Sequence, residues 1–141
     1  MRAWRAVFHA AALAALAGCA TFVHVQTDAF VNDDGEALVV EYGTRSRPYT
    51  YDIVSPVNGN TLECRDDKMV KLELPDGSSY TCYICQNPVP KGTMYSTKDG
   101  EIKFLTIGLE SRVYRFVPER NDYVEIFSGS LAPDMLKWKK R

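Results

Sequence analysis

The sequence contains none of the short motifs that mark common catalytic and nucleotide-binding sites. It has no G-x-S-x-G, no G-x-x-x-x-G-K-[ST] and no H-E-x-x-H, so it does not indicate a serine hydrolase, a P-loop protein or a zinc protease. Histidine is scarce, with His9 and His24 as the 2 examples in 141 residues. Acid–base chemistry would depend on carboxylates alone. We therefore expect a protein without enzymatic activity and without a cofactor.

The sequence also lacks an excess of charge of one sign. Its 17 Lys and Arg residues face 18 Asp and Glu residues, a net charge of -1, which provides no basis for nucleic-acid binding. Repeats and low-complexity segments are absent, and 45% apolar residues is too high for a disordered chain. A length of 141 residues accommodates one ordinary domain and excludes a large enzyme.

The chain has no apolar run that predicts a membrane-spanning helix. The run Val7–Ala17, interrupted by His9, is too short, because a hydrocarbon core of about 30 Å requires roughly 20 helical residues. It follows Arg2 and Arg5. A basic segment followed by a short apolar segment is typical of a secretion signal, and we interpret residues 1–18 as one.

The apolar run ends in Leu16-Ala17-Gly18-Cys19, which resembles the lipobox of bacterial lipoprotein precursors: Leu, two small residues and an invariant Cys. The resemblance covers the signal alone. It implies cleavage before Cys19, a diacylglycerol on its thiol and acylation of the new amino terminus with a chain such as palmitate. Two or more acyl chains give stable attachment. Ala20 stands where Asp would mark inner-membrane retention, so a Gram-negative source would favour the outer membrane. The alternative is a soluble secreted protein.

Four segments are predicted. Residues 1–18 are the signal peptide, 19–26 a lipidated tether that continues into a strand from Phe22, 27–131 a β domain and 132–141 a basic tail. Removal of the signal leaves 15 cations against 18 acids, a net charge of -3. The tail carries +3, so the rest of the mature chain carries -6.

Turn-forming residues recur about every ten residues, which is typical of an antiparallel all-β domain. The turns lie at Asp33-Asp34-Gly35, Asn58-Gly59, Asp66-Asp67, Pro75-Asp76-Gly77, Lys98-Asp99-Gly100 and Glu119–Asp122. Strands are predicted over 37–42, 49–54, 61–65, 69–74, 79–84, 93–97, 102–107, 112–117 and 123–127. We predict a small sandwich, or a curled meander or barrel, of about seven to nine short strands. Residues 133–140 are the best candidate for a short C-terminal helix.

Periodicity supports the strand prediction. Residues 69–74 alternate between apolar and charged side chains, which is typical of a strand with one buried face. Residues 102–107 and 113–117 are apolar on both faces. Strands of that kind are expected at the centre of the sheet.

Three cysteines remain once Cys19 is acylated, so Cys64, Cys82 and Cys85 can form at most one intramolecular disulfide. An oxidising envelope favours pairing, which would contribute about 2 to 4 kcal/mol. In a three-strand meander the outer strands lie about 10 Å apart, beyond the limit of about 7 Å between bridged Cα atoms. Pairing then requires a curled sheet or a turn before the second cysteine. We favour Cys64 with Cys82, because Cys82 would share a strand face with Tyr80 and Ile84 and an inward cysteine suits a buried bridge. Cys64 with Cys85 is the alternative.

The spacing Cys82-Tyr83-Ile84-Cys85 also matches the C-x-x-C of thiol-disulfide proteins. Redox sites of this type place the thiol at a helix N-terminus, whereas Gln86-Asn87-Pro88 disfavours a helix here. A zinc site would need a fourth ligand, for which His24 alone remains, and haem attachment requires His where Gln86 stands. We therefore predict no metal and keep a periplasmic thiol-disulfide protein as an alternative function.

The acidic segment 28–36 is rich in oxygen ligands, as calcium-binding loops are. It lacks the Glu that binds calcium through both carboxylate oxygens at the end of such a loop. An Asp-Gly hairpin turn explains it. A candidate binding surface lies elsewhere, where Tyr49 and Tyr51 share a strand face close to Arg45 and Arg47. Such a combination suits a sugar or a protein partner, although core packing is the simpler use of aromatic residues.

These observations favour a non-enzymatic envelope lipoprotein, attached to the membrane through Cys19, whose β domain supports the envelope or binds a protein or glycan. Residues 135–141 combine Trp138 with four cations and suit an anionic lipid surface or a fold-back on the acidic body. Periplasmic lysozyme inhibitors are an alternative, since they are compact β domains with one disulfide. The loop expected of those inhibitors, a Ser-Gly pair that leads into Arg-Tyr, is not found in this sequence. Ser128–Leu131 is the most similar stretch, and it does not match.

Overall fold

The computed structural model describes residues 22–45, 50–85 and 92–135, and these residues form nine antiparallel strands. The strands are β1 (Val23–Val31), β2 (Ala37–Thr44), β3 (Thr50–Val54), β4 (Thr61–Glu73), β5 (Ser79–Cys85), β6 (Gly92–Ser96), β7 (Ile102–Ile107), β8 (Glu110–Val117) and β9 (Asp122–Leu131). The predicted all-β class is confirmed. The first strand begins within the segment 19–26 that the sequence assigns to the tether.

The sheet closes on itself. Its strand order is β2-β1-β9-β8-β7-β6-β5-β4-β3, and β2 also pairs with β4. This extra pairing joins the two ends of the order, so eight strands form a barrel and β3 lies outside the closed ring. Of the predicted architectures, the curled barrel is the one that forms. Closure shortens the unpaired edges that an open sheet of this size would expose; the outer edge of β3 and most of the facing edges of β1 and β9 stay outside the ladder pairing.

The interior of the barrel holds the main core. Val70, Leu72 and Leu74 are buried, whereas Lys71 and Glu73 between them are exposed, as the alternating pattern predicts. The core cluster gathers residues from all eight strands of the ring: Phe30, Leu38, Val40, Val70, Leu72, Leu74, Cys82, Tyr95, Ile102, Phe104, Val113, Phe127 and Leu131. These side chains fill the inside of the barrel.

A second, smaller core lies on the outer face. Tyr95 and Phe104 belong to the interior cluster, so the adjacent Met94 and Leu105 point outward, where they pack with Ile53 of β3. The β3–β4 hairpin therefore folds over the outside of the barrel. This covering explains why strand 102–107 is apolar on both faces.

The prediction of a turn at Asp66-Asp67 is wrong, because β4 continues through it. The β4–β5 register passes from Arg65 opposite Ile84 to Met69 opposite Tyr83, which leaves residues 66–68 without a partner in β5. An insertion of this kind bends a strand without ending it. The bend directs the first half of β4, with β3, onto the outer face.

The chain leaves the sheet just after β9. Residues 133–135 are helical, and the side chain of Met135 packs against the interior core. The rest of the predicted C-terminal helix and the basic tail lie outside the described residues. Within the described ranges, no helix has the length and apolar character needed to cross a membrane.

Candidate functional site

The barrel has two chemically different ends, which the up-and-down path of the chain creates. Four connections between consecutive strands meet at one end of the barrel. They join β1 to β2, β4 to β5, β6 to β7 and β8 to β9. We call this the turn end, formed by residues 32–36, 74–78, 97–101 and 118–121. At the opposite end β1 starts, β9 finishes and the β7–β8 hairpin turns. We call this the terminal end.

The turn end is acidic. Its four connections carry seven carboxylates and two cations, a net charge of -5. The residues are Asp33, Asp34, Glu36, Asp76, Asp99, Glu101 and Glu119, with Lys98 and Arg120. The net charge of these four connections is therefore larger in magnitude than the -1 of the whole sequence, so the end is locally acidic in an otherwise balanced chain.

The polar side chains of these turns form hydrogen bonds within their own turns and so stabilise the turn conformation. The Asn32 Oδ1 atom accepts hydrogen bonds from the backbone N–H groups of Asp34 (3.0 Å) and Glu36 (2.8 Å), which makes residues 32–36 a closed hairpin turn. The Asp99 carboxylate accepts hydrogen bonds from the Glu101 N–H (3.0 Å) and the Thr97 hydroxyl (2.8 Å), and these bonds lower its pKa. In the described residues, no group of three or more His, Cys, Asp and Glu side chains is placed to bind a metal.

Arg115 and Tyr80 meet below the turn end. The Arg115 Nη2 atom donates to the Tyr80 hydroxyl at 2.5 Å, although the two residues are 35 positions apart. Arg115 also lines a cavity of about 250 Å³ with Leu74, Asp76 and Phe127 among its walls. The sequence carries no signal for this pair, because only the closed sheet brings β5 close to β8.

The terminal end is apolar. Val23 and Val25 at the start of β1 are 53% and 60% exposed, and Ile107 and Leu109 at the β7–β8 turn are 43% and 48% exposed. The Leu109 carbonyl accepts a hydrogen bond from the Leu131 N–H at 2.8 Å, which ties the turn to the end of β9. The sequence pattern does not reveal this surface, because its members come from strands that are far apart along the chain.

Phe22 docks the N-terminal segment onto the barrel. Its ring covers Gly43 so closely that an added Cβ there would lie 2.1 Å from ring atoms. The Lys71 ammonium lies 4.2 Å from the centre of the same ring. A side chain at position 43 would displace the ring, so Gly43 is needed for this contact. The predicted lipidation site, Cys19, lies outside the described residues, three positions before Phe22.

The cysteines pair differently from the preferred prediction. Cys64 forms a disulfide with Cys85, and Cys82 is a buried free thiol, so the preference for Cys64 with Cys82 is wrong. The cause is the bend in β4: residues 61–65 and 69–74 belong to one strand next to β5, and Cys64 stands directly opposite Cys85 in the register. The separation of about 10 Å expected between the outer strands of a meander does not arise, because residues 61–65 and 69–74 form one strand beside β5.

The third thiol is separated from the disulfide by the sheet. Cys82 belongs to the interior core, whereas Cys64 and Cys85 belong to the outer core. Burial, reinforced by the negative charge of Asp99, raises the pKa of the Cys82 thiol to about 12. A reactive cysteine needs a depressed pKa and access, so this geometry counts against a redox pair of Cys82 and Cys85.

Two residues of the candidate surface built on Arg45, Arg47, Tyr49 and Tyr51 can be placed. Arg45 follows β2, is half-buried, and donates its backbone N–H to the Asp67 carbonyl at 3.2 Å. Tyr51 lies in β3, opposite Cys64 in the register. Arg47 and Tyr49 lie outside the described residues, so this binding surface stays a prediction.

The stretch Ser128–Leu131 lies inside β9 and pairs with β8. It is a strand, so it does not supply the loop chemistry expected of a lysozyme inhibitor. Comparison with protein-family models, curated proteins and solved structures finds no match for this chain. Function must therefore be inferred from the residues and from the geometry of the barrel.

Proposed function

We propose that this protein is a lipid-anchored component of the bacterial cell envelope, with a non-enzymatic β-barrel held at the membrane through Cys19. The observation that carries the proposal is the short distance along the chain between the lipobox cysteine and the barrel. Three residue steps lead from Cys19 to Phe22, and a fully extended chain covers at most about 10 to 11 Å in three steps. The lipid would therefore hold the barrel directly at the bilayer surface.

The packing of the barrel supports a structural or binding role. Phe104, Leu38 and Leu72 are among the large side chains that are fully buried, and they occupy the interior where other barrels of this strand number hold a small ligand. A filled interior leaves the outer surface and the two ends for contact with an envelope protein or a glycan. The acidic turn end faces away from the terminus that would carry the lipid.

The test follows the full-length chain in a bacterial host. We expect the protein in the membrane fraction, without residues 1–18 and with an N-terminal cysteine whose mass includes a diacylglycerol. Cys19→Ala should leave an unprocessed precursor or move the protein to the soluble fraction. Cys82→Ala is the matched control, since its thiol is buried in the barrel, and it should be processed normally. Normal processing and membrane attachment of Cys19→Ala would overturn the proposal.

A second substitution tests the membrane to which the protein is delivered. In a Gram-negative host, Ala20→Asp should shift the protein from the outer to the inner membrane, because Asp at that position commonly marks retention. An unchanged distribution between the two membrane fractions would argue against sorting by residue 20.

A further inference from the structure

We propose that the terminal end of the barrel rests on an anionic bilayer surface through Val23, Val25, Ile107 and Leu109, with the acidic turn end directed into the aqueous space. This proposal rests on the proposed lipid anchor and adds an orientation to it. A flexibly tethered domain would have no preferred orientation. Three features of the structure select one.

The first feature is the placement of exposed apolar side chains. Six large hydrophobic residues are exposed among the described residues, and four of them lie at the terminal end. In β1, only Phe30 and Val31 pair with β9, and their partners are the last two residues of that strand. Val23 and Val25 come earlier in β1, so they extend beyond the end of β9. The interfacial region of a bilayer accepts such side chains, because insertion removes their apolar surface from water.

The second feature is the distribution of charge. The turn end carries -5 within the described residues, and an anionic lipid surface repels it. Glu110 is the acidic residue beside the β7–β8 turn, and Arg112 follows it two positions later on the same strand. The chain leaves the described structure at Met135, at the terminal end, with four cations among the six residues beyond it. The electrostatic and apolar preferences therefore select the same orientation.

The third feature is the fixed origin of the tether. Phe22 is docked against Gly43 and Lys71, so the chain leads to Cys19 from a defined point beside the start of β1. A reach of about 10 Å from that point is too short for the barrel to present its turn end to the same membrane. These constraints favour a bilayer over a second copy of the chain as the occupant of the apolar end.

The orientation can be read from the depth of single tryptophans. Leu109→Trp places the probe at the terminal end, and Asp34→Trp places it in an exposed turn at the opposite end, both in a Trp138→Phe background. Each protein is attached to phosphatidylethanolamine–phosphatidylglycerol vesicles with and without brominated acyl chains. We expect bromine to reduce the Leu109→Trp emission about twofold and to leave Asp34→Trp emission unchanged. Ile107→Trp replaces Leu109→Trp if circular dichroism shows that the latter fails to fold.

The anchor is supplied in two ways, so that the orientation and the lipidation are tested separately. One sample carries the natural lipid, and the other has a hexahistidine segment in place of residues 1–19 on vesicles that contain a nickel-chelating lipid. Loss of attachment in the first sample alone would contradict the lipid anchor and leave the second to report the orientation. Equal quenching at both ends, or no quenching of Leu109→Trp on attached protein, would overturn the proposal. A doubled mass with a blue-shifted Leu109→Trp in the absence of vesicles would overturn it in favour of a dimer.

Discussion

Cys64 on β4 and Cys85 on β5 stand directly opposite each other and form a disulfide. Because the first half of β4 belongs to the outer hairpin, this disulfide connects the hairpin to the barrel wall. The residues are separated by 21 positions in sequence, and the outer core of Ile53 and Met94 surrounds them. The bond thus holds the β3–β4 hairpin against the barrel. It does not hold the barrel closed, because the ring closes through the pairing of β2 with β4.

Removal of the disulfide should destabilise the domain. In the chain-entropy account a loop of this length contributes about 3 kcal/mol, so Cys64→Ser combined with Cys85→Ser should lower the Tm by about 10 to 20 °C. A reductant should lower the Tm of the wild-type domain similarly and leave the double variant unchanged. Peptide mapping of the non-reduced protein should recover Cys64 linked to Cys85. A peptide that links Cys82 to either residue would contradict the structure.

The Cys82 thiol should be unreactive in the folded protein. Its pKa is raised to about 12, so almost no thiolate exists at pH 7.5, and its side chain is fully buried. Labelling with iodoacetamide should proceed at the rate of unfolding and become rapid in guanidinium chloride. Stoichiometric labelling within minutes under native conditions would contradict a structural role for this thiol and revive the redox alternative.

Alkaline pH should destabilise the fold through Tyr42. Burial, with a contribution from the Asp28 carboxylate, raises the pKa of Tyr42 above its ordinary value of 10.0. The unfolded chain therefore loses this proton at lower pH than the folded chain, so the free energy of unfolding falls as pH rises above about 10. Urea unfolding at pH 7.5 and pH 10.5 should show the loss. Tyr42→Phe should make it smaller, whereas Tyr114→Phe, on a side chain that is not among those packed against the interior core, provides the comparison. Equal pH dependence in wild type and Tyr42→Phe would exclude this assignment.

Gly129 should be required for closure at the junction of β1 and β9. A Cβ at this position would lie 2.6 Å from the Val31 carbonyl oxygen, and backbone atoms cannot move away as a flexible side chain can. Because β1 and β9 pair through only two residues of each strand, Gly129→Ala should separate them and cost about 2 kcal/mol or more. The exposed neighbour offers a control, since Ser128→Ala should change the free energy of unfolding by less than about 0.5 kcal/mol. Similar stabilities of the two variants would show that the junction tolerates a wider spacing.

The strands could be predicted because their signals are local. The alternation of residues 69–74 and the Asp-Gly turns at 34–35 and 99–100 depend on neighbouring residues, and the structure has strands and turns at those places. The Asp66-Asp67 prediction failed for a physical reason. Acidic residues favour turns locally, but the pairing of β4 with β2 extends through Lys68 and keeps the chain extended across the bend.

The candidate sites also differ in whether their signal is local in the sequence or depends on the tertiary structure. The resemblance of Leu16–Cys19 to a lipobox rests on a linear pattern, so it can be predicted without any knowledge of the fold. The disulfide partner of Cys64 depends on the register between β4 and β5, which the residue pattern on each strand does not specify. The exposed apolar end could not be foreseen either, because Val25 and Leu109 are 84 positions apart in sequence and share an end only in the closed barrel.

By itself the sequence determined the all-β class and the approximate position of most strands, because hydrophobic periodicity and turn chemistry act over a few residues. The tertiary structure alone decided that the sheet closes, that Cys64 pairs with Cys85, and that the acidic turns collect at one end while apolar side chains collect at the other. Each of these depends on contacts between segments that are distant in the chain. The packing of the whole sheet determines such contacts, and no short stretch of residues encodes them.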